Sequence, residues 1–509
     1  MTDARVKPAV PRAASAVVAL VFLLHLLPRP GFGFHRDTLL YLAMGDHLDL
    51  FRMQFPPMIA LLARIADLVP GSLLFGTRLL PALALAALMA LGMATAFRMG
   101  CGPRARLLVA VALAASPMME GAGALFQPVI FELLWWALAA YALTVLLDGG
   151  GPRWWLVLGL AMGLGGLTKF SAAVFGIAMA VAVLLSPLRS ALRTRWPWLA
   201  VLLGALVALP SVTGQVAHGW PFFAQLAVLR EGQLERVSPL RFLAEQALLT
   251  GAGLLVFLPG LAALLLQPAL ARFRPLAFYA LTACAILLVT GGKAYYLAPV
   301  HLPLFAAGAV SIASLLRDRP VARGALLVVM AAGGIAFLPI VLPLWPPPTI
   351  AAYAGRLGVS RATETNVGTQ LPLPQDLADM TGWREQVAEV AKVFHALPAA
   401  TQARTVIVAG NYGRAGALAV YHGEFGLPYP ASRSGDFWAW GPGQDDPEVV
   451  IIVGGTVEDL QAIFADVREA GRSTNAWGVE EEQDVPIHVC RGARVPLGQL
   501  WQRLGPEWG

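Results

Sequence analysis

A polytopic α-helical membrane protein ending in a smaller α/β domain is the fold class this sequence predicts, and three observations carry the prediction. The 509-residue chain is 57% hydrophobic and only 13% charged, with a mean hydropathy of +0.65, whereas soluble globular proteins carry nearer a quarter charged residues. Apolar stretches of membrane-spanning length recur through the first two thirds. From Trp345 onward the composition changes to acidic residues, amphipathic segments and short apolar runs. These features exclude a cytosolic enzyme, a disordered chain and a disulfide-stapled secreted module. Cys101, Cys284 and Cys490 lie far apart and match no metal-ligand spacing. The 37 basic residues are not clustered as a nucleic-acid binder requires, so no nucleic-acid partner is expected.

A hydrocarbon core about 30 Å thick asks for roughly 20 apolar residues per helix. Stretches centred on 14–28, 73–97, 107–119, 129–147, 154–168, 170–187, 197–216, 243–265, 275–290, 299–316 and 324–344 read as about eleven spans, the third, fifth and ninth being short. The first follows Arg5, Lys7 and Arg12 as a signal peptide would. No small-residue cleavage pattern comes after it, and Leu-Pro-Arg-Pro-Gly reads as a membrane exit, so it counts as a span. Arginines then set the sides. Arg98, Arg104 and Arg106, then Arg153, then Arg189, Arg193 and Arg195, then Arg272 and Arg274, and finally Arg317, Arg319 and Arg323 fall in alternate loops. Those loops and the amino terminus are assigned to the cytoplasm.

An odd number of spans puts residues beyond about 345 outside. The expected domains are thus 1–344, membrane-embedded with a first outer loop 29–72, and 345–509, extracytoplasmic. In the second domain Thr405–Ala409 and Val449–Val453 read as buried strands, with 485–489 a weaker third. Segments 383–397 and 457–470 show helical periodicity. Alternating strand and helix over about 160 residues makes a small α/β domain able to bury its own core.

The opposite loops, 29–72, 117–128, around 169, 217–242 and 291–298, hold the residues that could carry chemistry. In the first, Phe-His-Arg-Asp-Thr-Leu-Leu-Tyr-Leu-Ala-Met-Gly-Asp-His-Leu (34–48) and the run 53–64 through Pro56-Pro57 describe two short interfacial helices. Asp37, beside His35 and Arg36, is either an amino-terminal helix cap or a general base at the membrane surface; Asp46, His47 and Asp49 fall on the solvated face. Only four lysines occur: Lys7, Lys169, Lys293 and Lys392. Lys169, in Gly-Gly-Leu-Thr-Lys-Phe-Ser, sits between two apolar runs, where a cation must reach water, a partner or an anionic ligand. A lysine snorkelling from a helix end is the alternative.

Lys293, in Gly-Gly-Lys-Ala-Tyr-Tyr-Leu-Ala-Pro, repeats that situation beside Tyr295 and Tyr296, which an aromatic belt would also explain. Two lysines at equivalent outer positions suggest an anion at the bilayer surface, such as a lipid-linked phosphate. Glu132, just inside a span, must pair or stay protonated. His218, alone in His-Gly-Trp-Pro, reads as structural, as does the post-strand turn Gly-Asn-Tyr-Gly-Arg-Ala-Gly-Ala-Leu (410–418), which lacks a Walker or dinucleotide pattern.

The ordered set of Asp37, Pro56-Pro57, Phe131-Glu132 leading to Trp136 and Tyr141, Gly-Leu-Thr-Lys-Phe-Ser, His-Gly-Trp-Pro and Gly-Gly-Lys-Ala-Tyr-Tyr-Leu-Ala-Pro resembles the polyprenyl-phosphate-sugar-dependent glycosyltransferases of the C superfamily. The branch is that of family-39-type enzymes, with protein O-mannosyltransferases and the lipid A aminoarabinose transferase. The resemblance spans the membrane region. Asn-Tyr-Gly-Arg-Ala-Gly-Ala and Phe-Trp-Ala-Trp-Gly-Pro are similar to the tail of a bacterial subgroup. It implies inverting transfer of a sugar from a polyprenyl-phosphate donor to the hydroxyl of a cell-envelope acceptor, a lipid, polysaccharide or protein. Transfer would occur on the outer face of a bacterial inner membrane, with membrane lipid as the surrounding partner.

By resemblance Asp37 is the base, and Arg36, Lys169 and Lys293, with Tyr295 and Tyr296, meet the departing phosphate, as charge development in a low-dielectric site requires. The chain departs from its relatives at Thr38 and Val129, and Gln54 stands where an acidic residue is common. Gln54, Glu132 and His218 are left as acceptor-positioning or supporting residues. No cofactor is fixed by the sequence, and the lost acid leaves a divalent metal open. A transporter or flippase of lipid-linked sugars would also place charges in spans, but no paired halves are evident. A catalytically decayed glycolipid-binding protein is the other alternative.

Overall fold

Apolar helices of about 20 residues or more satisfy their own backbone hydrogen bonds in hydrocarbon. Six among the described residues have that length and composition: Leu73–Arg98, Pro128–Leu147, Arg195–Ala217, Pro239–Leu266, Ala294–Leu315 and Pro320–Val341. Two helix pairs reach that length and composition only together, across a sharp bend: Pro103–Ala114 with Pro117–Ala124, bent by 65°, and Ala172–Leu184 with Pro187–Arg193, bent by 97°. Arg12–Leu26, Trp154–Thr168 and Pro275–Thr290 are apolar but shorter. Length and composition thus support six to eight spans against the eleven read from the sequence, the difference being those three short helices. The chain is a multi-pass membrane protein. This structure, a computed structural model, describes residues 10–27, 29–100, 102–232, 234, 238–358, 363–365 and 368–507. Arg5, Lys7 and Cys101 lie outside them.

The chain divides into two units. A helical unit comprises Met1–Leu27, Arg78–Val212 and Leu234–Leu342, and a mixed unit comprises Pro28–Thr77, Thr213–Gln233 and Pro343–Gly509. In the helical unit, Ala294–Leu315 and Pro128–Leu147 are the central spans, 78% and 72% buried, whereas Pro320–Val341 is 17% buried. The exposed side chains of that last helix are apolar, Val321, Val328 and Ile335 among them, as hydrocarbon surroundings require. Close packing depends on glycine where Leu254–Leu266 meets His301–Leu315: a Cβ on Gly260 would lie 1.9 Å from the Leu304 carbonyl oxygen.

One helix fixes which loops share an end of this unit. Asp148 caps the carboxy terminus of Pro128–Leu147 and draws in Arg272 at 2.9 Å and Arg98 at 3.8 Å. Three loops that the arginine pattern put on one side therefore meet. Glu132 stands in the same helix about 24 Å away at 1.5 Å per residue, and there it gathers residues from two loops assigned to the opposite side.

The mixed unit contains Arg36–Asp46 and Met58–Asp67, the two helices expected around Pro56-Pro57. It also holds a five-stranded sheet of β1 (Thr405–Ala409), β2 (Ala431–Ser432), β3 (Val449–Val453), β4 (Phe464–Thr474) and β5 (Asp484–Ala493), in the order β2-β1-β3-β5-β4. β1 runs parallel to β2 and to β3, pairing Thr405 with Val449 through Ala409 with Val453; β5 is antiparallel to β3 and β4. β1 and β3 are continuous apolar runs because both faces are covered. Val406 and Val450 enter one core with Phe464, Cys490 and Trp501, while Ile407 and Ile451, alternating with them, are buried on the other face. There Trp383–His395 and Tyr412–Phe425 pack.

The helix expected over 457–470 is corrected. Only Val457–Gln461 is helical, and Phe464–Thr474 is strand β4. Its apparent helical spacing is overridden by pairing with β5 along its length. As an edge strand it exposes Asp466, Glu469 and Arg472, charges that discourage pairing with another chain.

Candidate active site

Sequence-predicted residues of the helical unit meet around one carboxylate. Glu132 lies in the first turns of Pro128–Leu147, begun by a proline whose missing N–H costs nothing there. Its side chain is 3% exposed. Helix Trp154–Thr168 ends at Lys169, whose extended backbone (φ −160°, ψ 144°) turns the chain before Ala172–Leu184 begins. Within that break Ser171 donates its hydroxyl to Glu132 Oε1, and Lys169 Nζ stands 3.4 Å from Oε2. Tyr295 and Tyr296 come from the 3₁₀ turn Ala294–Val300, with ring centroids 5.1 and 4.5 Å from Lys169 Nζ. Those rings meet edge to face at 4.7 Å. Half-buried Lys293 precedes the turn, its carbonyl accepting the Tyr296 N–H at 3.0 Å.

The ammonium itself is shielded from solvent and makes no hydrogen bond among the described residues. Three N–H donors are available on it, and one carboxylate with two aromatic faces holds it in place without consuming them.

In the mixed unit Asp37 occupies the first turn of Arg36–Asp46. His35 caps that helix, its Nδ1 accepting the Asp37 N–H at 3.1 Å. Burial disfavours the His35 imidazolium, but the carboxylates of Asp376, Asp37 and Asp379 outweigh it and raise His35 to about 9. A doubly protonated ring cannot accept at Nδ1, so charging His35 and capping Asp37 exclude each other. Asp379 itself is pushed up to about 6 by burial, which the cations His35 and Arg36 oppose. Tyr412 Oη donates to Asp37 Oδ1 at 2.9 Å. Arg36 lies over the Tyr412 ring, 4.6 Å from its centroid, and pairs with Glu481. The charge of Arg36 is therefore already met within its unit.

Gln54 and His218 join a different cluster of the mixed unit. The Gln54 N–H donates to Asp436 Oδ1 at 3.1 Å, and its carbonyl accepts from Gln215 Nε2. His218 Nε2 donates to the Arg52 carbonyl, which ties the 52–54 turn to the 213–222 segment. Burial raises Asp436 to about 6 despite the Gln54 N–H and nearby His218. Among the described residues no three His, Cys, Asp or Glu side chains converge as a metal-holding set.

Residues 54–213 match the dolichyl-phosphate-mannose-protein mannosyltransferase family. Over 93% of this chain and 97% of the other, the fold resembles ArnT from Cupriavidus metallidurans bound to undecaprenyl phosphate, with a TM-score of 0.56 at 16% identity. The apo state of the same protein gives a TM-score of 0.56 at 17% identity, over 93% and 97% of the two chains. The chain has the glycosyltransferase C fold. A weaker likeness, TM-score 0.47 at 15% identity, covers 95% of this chain and 40% of arabinofuranosyltransferase AftD from Mycobacteria. No curated protein sequence matches.

Within this C-type fold the family match contains Gln54, Glu132 and Lys169, but neither Asp37 nor the carboxy-terminal sheet. Several residues that sequence reasoning passed over belong to these clusters, Ser171, Tyr412, Asp379, Gln215, Asp436 and Glu481 among them. Ser171 stood inside a motif already singled out, two residues after the lysine. Tyr412 follows Asn411, a side chain able to cap a helix, and Gly413 and Gly416 come three apart, a spacing that puts two glycines on one helical face.

Proposed function

We propose that this chain transfers a hexosyl or pentosyl group from a polyprenyl-phosphate donor to the hydroxyl of a cell-envelope acceptor, with inversion. The Lys169 ammonium carries this reading: it is shielded from solvent, held by Glu132 and two tyrosines, and makes no hydrogen bond among the described residues. As the glycosyl–oxygen bond breaks, negative charge grows on the leaving phosphate. A cation placed beforehand in a low-dielectric setting stabilises that charge without reorganising. Lys293 and the hydroxyls of Tyr295 and Tyr296 supply further donors. Undecaprenyl phosphate, the lipid bound by ArnT of the same fold, has the chemistry such a cluster would take.

Asp37 is proposed as the base that takes the acceptor proton, with Arg36 bracing it from Glu481. The chemistry is assigned to the outer face of a bacterial inner membrane, with 345–509 outside, in keeping with the arginine-bearing loops gathered at one end of the helical unit. The test supplies purified full-length protein with radiolabelled hexosyl and pentosyl esters of undecaprenyl phosphate, with and without envelope extract as acceptor. Transfer or donor hydrolysis by the wild type that is lost in Asp37→Asn supports both assignments. Donor binding without turnover on any ester would make the protein a carrier or a decayed enzyme. Full activity of the variant would remove Asp37 as base.

A further inference from the structure

We propose that Tyr412 is a positioning residue for the Asp37 carboxylate, so that the 411–416 turn of the carboxy-terminal sheet region belongs to the catalytic apparatus; this rests on Asp37 acting as the base. The turn follows β1 directly. Asn411 caps the helix Tyr412–Phe425, its side-chain oxygen accepting the Arg414 N–H at 2.9 Å. The Asn411 amide donates to Glu482 Oε1 at 2.7 Å, and Arg414 Nε donates to Glu482 Oε2 at 2.9 Å. Glu482 is 4% exposed and also receives Gln386 at 3.1 Å. This hub fixes two neighbours that reach the Asp37 helix, Tyr412 on one side and Glu481 on the other.

Glycine makes the approach possible. A Cβ on Gly413 would stand 2.8 Å from the Arg36 side chain, and one on Gly416 would stand 2.7 Å from the Leu39 carbonyl carbon. The helix carrying Tyr412 thus lies against the backbone of the helix carrying Asp37, within one unit. Burial and the adjacent Asp37 push the Tyr412 phenol well above its ordinary value, so it remains a donor throughout the working pH range. One lone pair of the carboxylate is committed to Tyr412 Oη, and Arg36 cannot swing toward it while seated on the tyrosine ring and bound to Glu481. The Tyr412 bond thereby fixes the orientation of the carboxylate, as a base requires if it is to be held within hydrogen-bond reach of the proton it takes.

Tyr412→Phe removes only this bond and keeps the ring under Arg36. In the full-length protein, with whichever undecaprenyl-phosphate ester the wild type turns over, kcat should fall about 10- to 100-fold, the scale of a lost charged hydrogen bond, with donor KM and melting temperature unchanged. A kcat within twofold of wild type, or a loss matched by KM or by melting, overturns the positioning role. Asp37→Asn separates the two readings: if it is inactive while Tyr412→Phe is normal, only the tyrosine proposal fails. If Asp37→Asn remains active, or the wild type turns over no ester, both fail.

Discussion

The cluster around Lys169 and the cluster around Asp37 are built on opposite terms. In the helical unit a cation sits beside one carboxylate and two rings and makes no hydrogen bond among the described residues. In the mixed unit the named charges are bound down: Asp37 by Tyr412, Arg36 by Glu481, and Arg414 by Glu482. A buried ammonium that is ion-paired but makes no hydrogen bond retains donors for an anion, whereas a hydrogen-bonded carboxylate is held in one orientation. On the proposed reading the first region captures the lipid phosphate and the second aligns the base.

The largest expected effect breaks the first region from inside. Glu132→Gln leaves Lys169 without its counter-charge, which should destabilise the ligand-free protein by about 3 kcal/mol, the scale for breaking a buried pair. Undecaprenyl phosphate should then raise the melting temperature of this variant more than that of the wild type, because the phosphate replaces the missing charge. Equal shifts in both proteins would show that the lipid phosphate does not reach Lys169.

A comparable effect tests one of the second region's buried carboxylates. Burial lifts Asp436 from an ordinary 3.8 to about 6, and its second oxygen has no partner among the described residues. The folded state therefore holds a proton that the unfolded chain releases, and this contribution to stability is lost as pH rises from about 4 to 6. Asp436→Asn keeps the acceptor for the Gln54 N–H and should stabilise the protein by about 3 kcal/mol at pH 7, with the advantage vanishing below pH 4. Melting curves of both proteins across that range decide it; a pH-independent difference would contradict the assignment. The smallest effect is at the rim of the first region. Lys293→Ala should weaken apparent donor affinity about tenfold, the scale of one charged hydrogen bond, with kcat largely kept. An unchanged affinity removes Lys293 from the phosphate contact.

The two regions also differ in how far they could be read from the chain. Glu132, Lys169, Tyr295 and Tyr296 stand out because a charge inside an apolar run has few innocent explanations. The sequence paired Lys169 with Lys293 around an anion, whereas the contact of Lys169 with Glu132 and the two tyrosines emerges only in the fold. Asp37 was legible as a helix start, but its partner lies 375 positions away, and nothing local in Asn-Tyr-Gly-Arg-Ala-Gly names a carboxylate. Strands β1 and β3 were legible to the residue because doubly buried strands are unbroken apolar runs. β4 was not, because an exposed edge strand carries charges at spacings that also suit a helix, and only pairing with β5 decides between them.

Binding of undecaprenyl phosphate to the purified full-length protein in lipid nanodiscs, compared between wild type and Lys169→Met, tests the central claim most directly. The methionine keeps the bulk of the stem between the tyrosines and removes only the charge. The Lys169 reading predicts at least a tenfold loss of affinity, with the fold retained, from one lost charged contact. Undiminished binding to Lys169→Met would contradict it, and the phosphate would have to be met elsewhere.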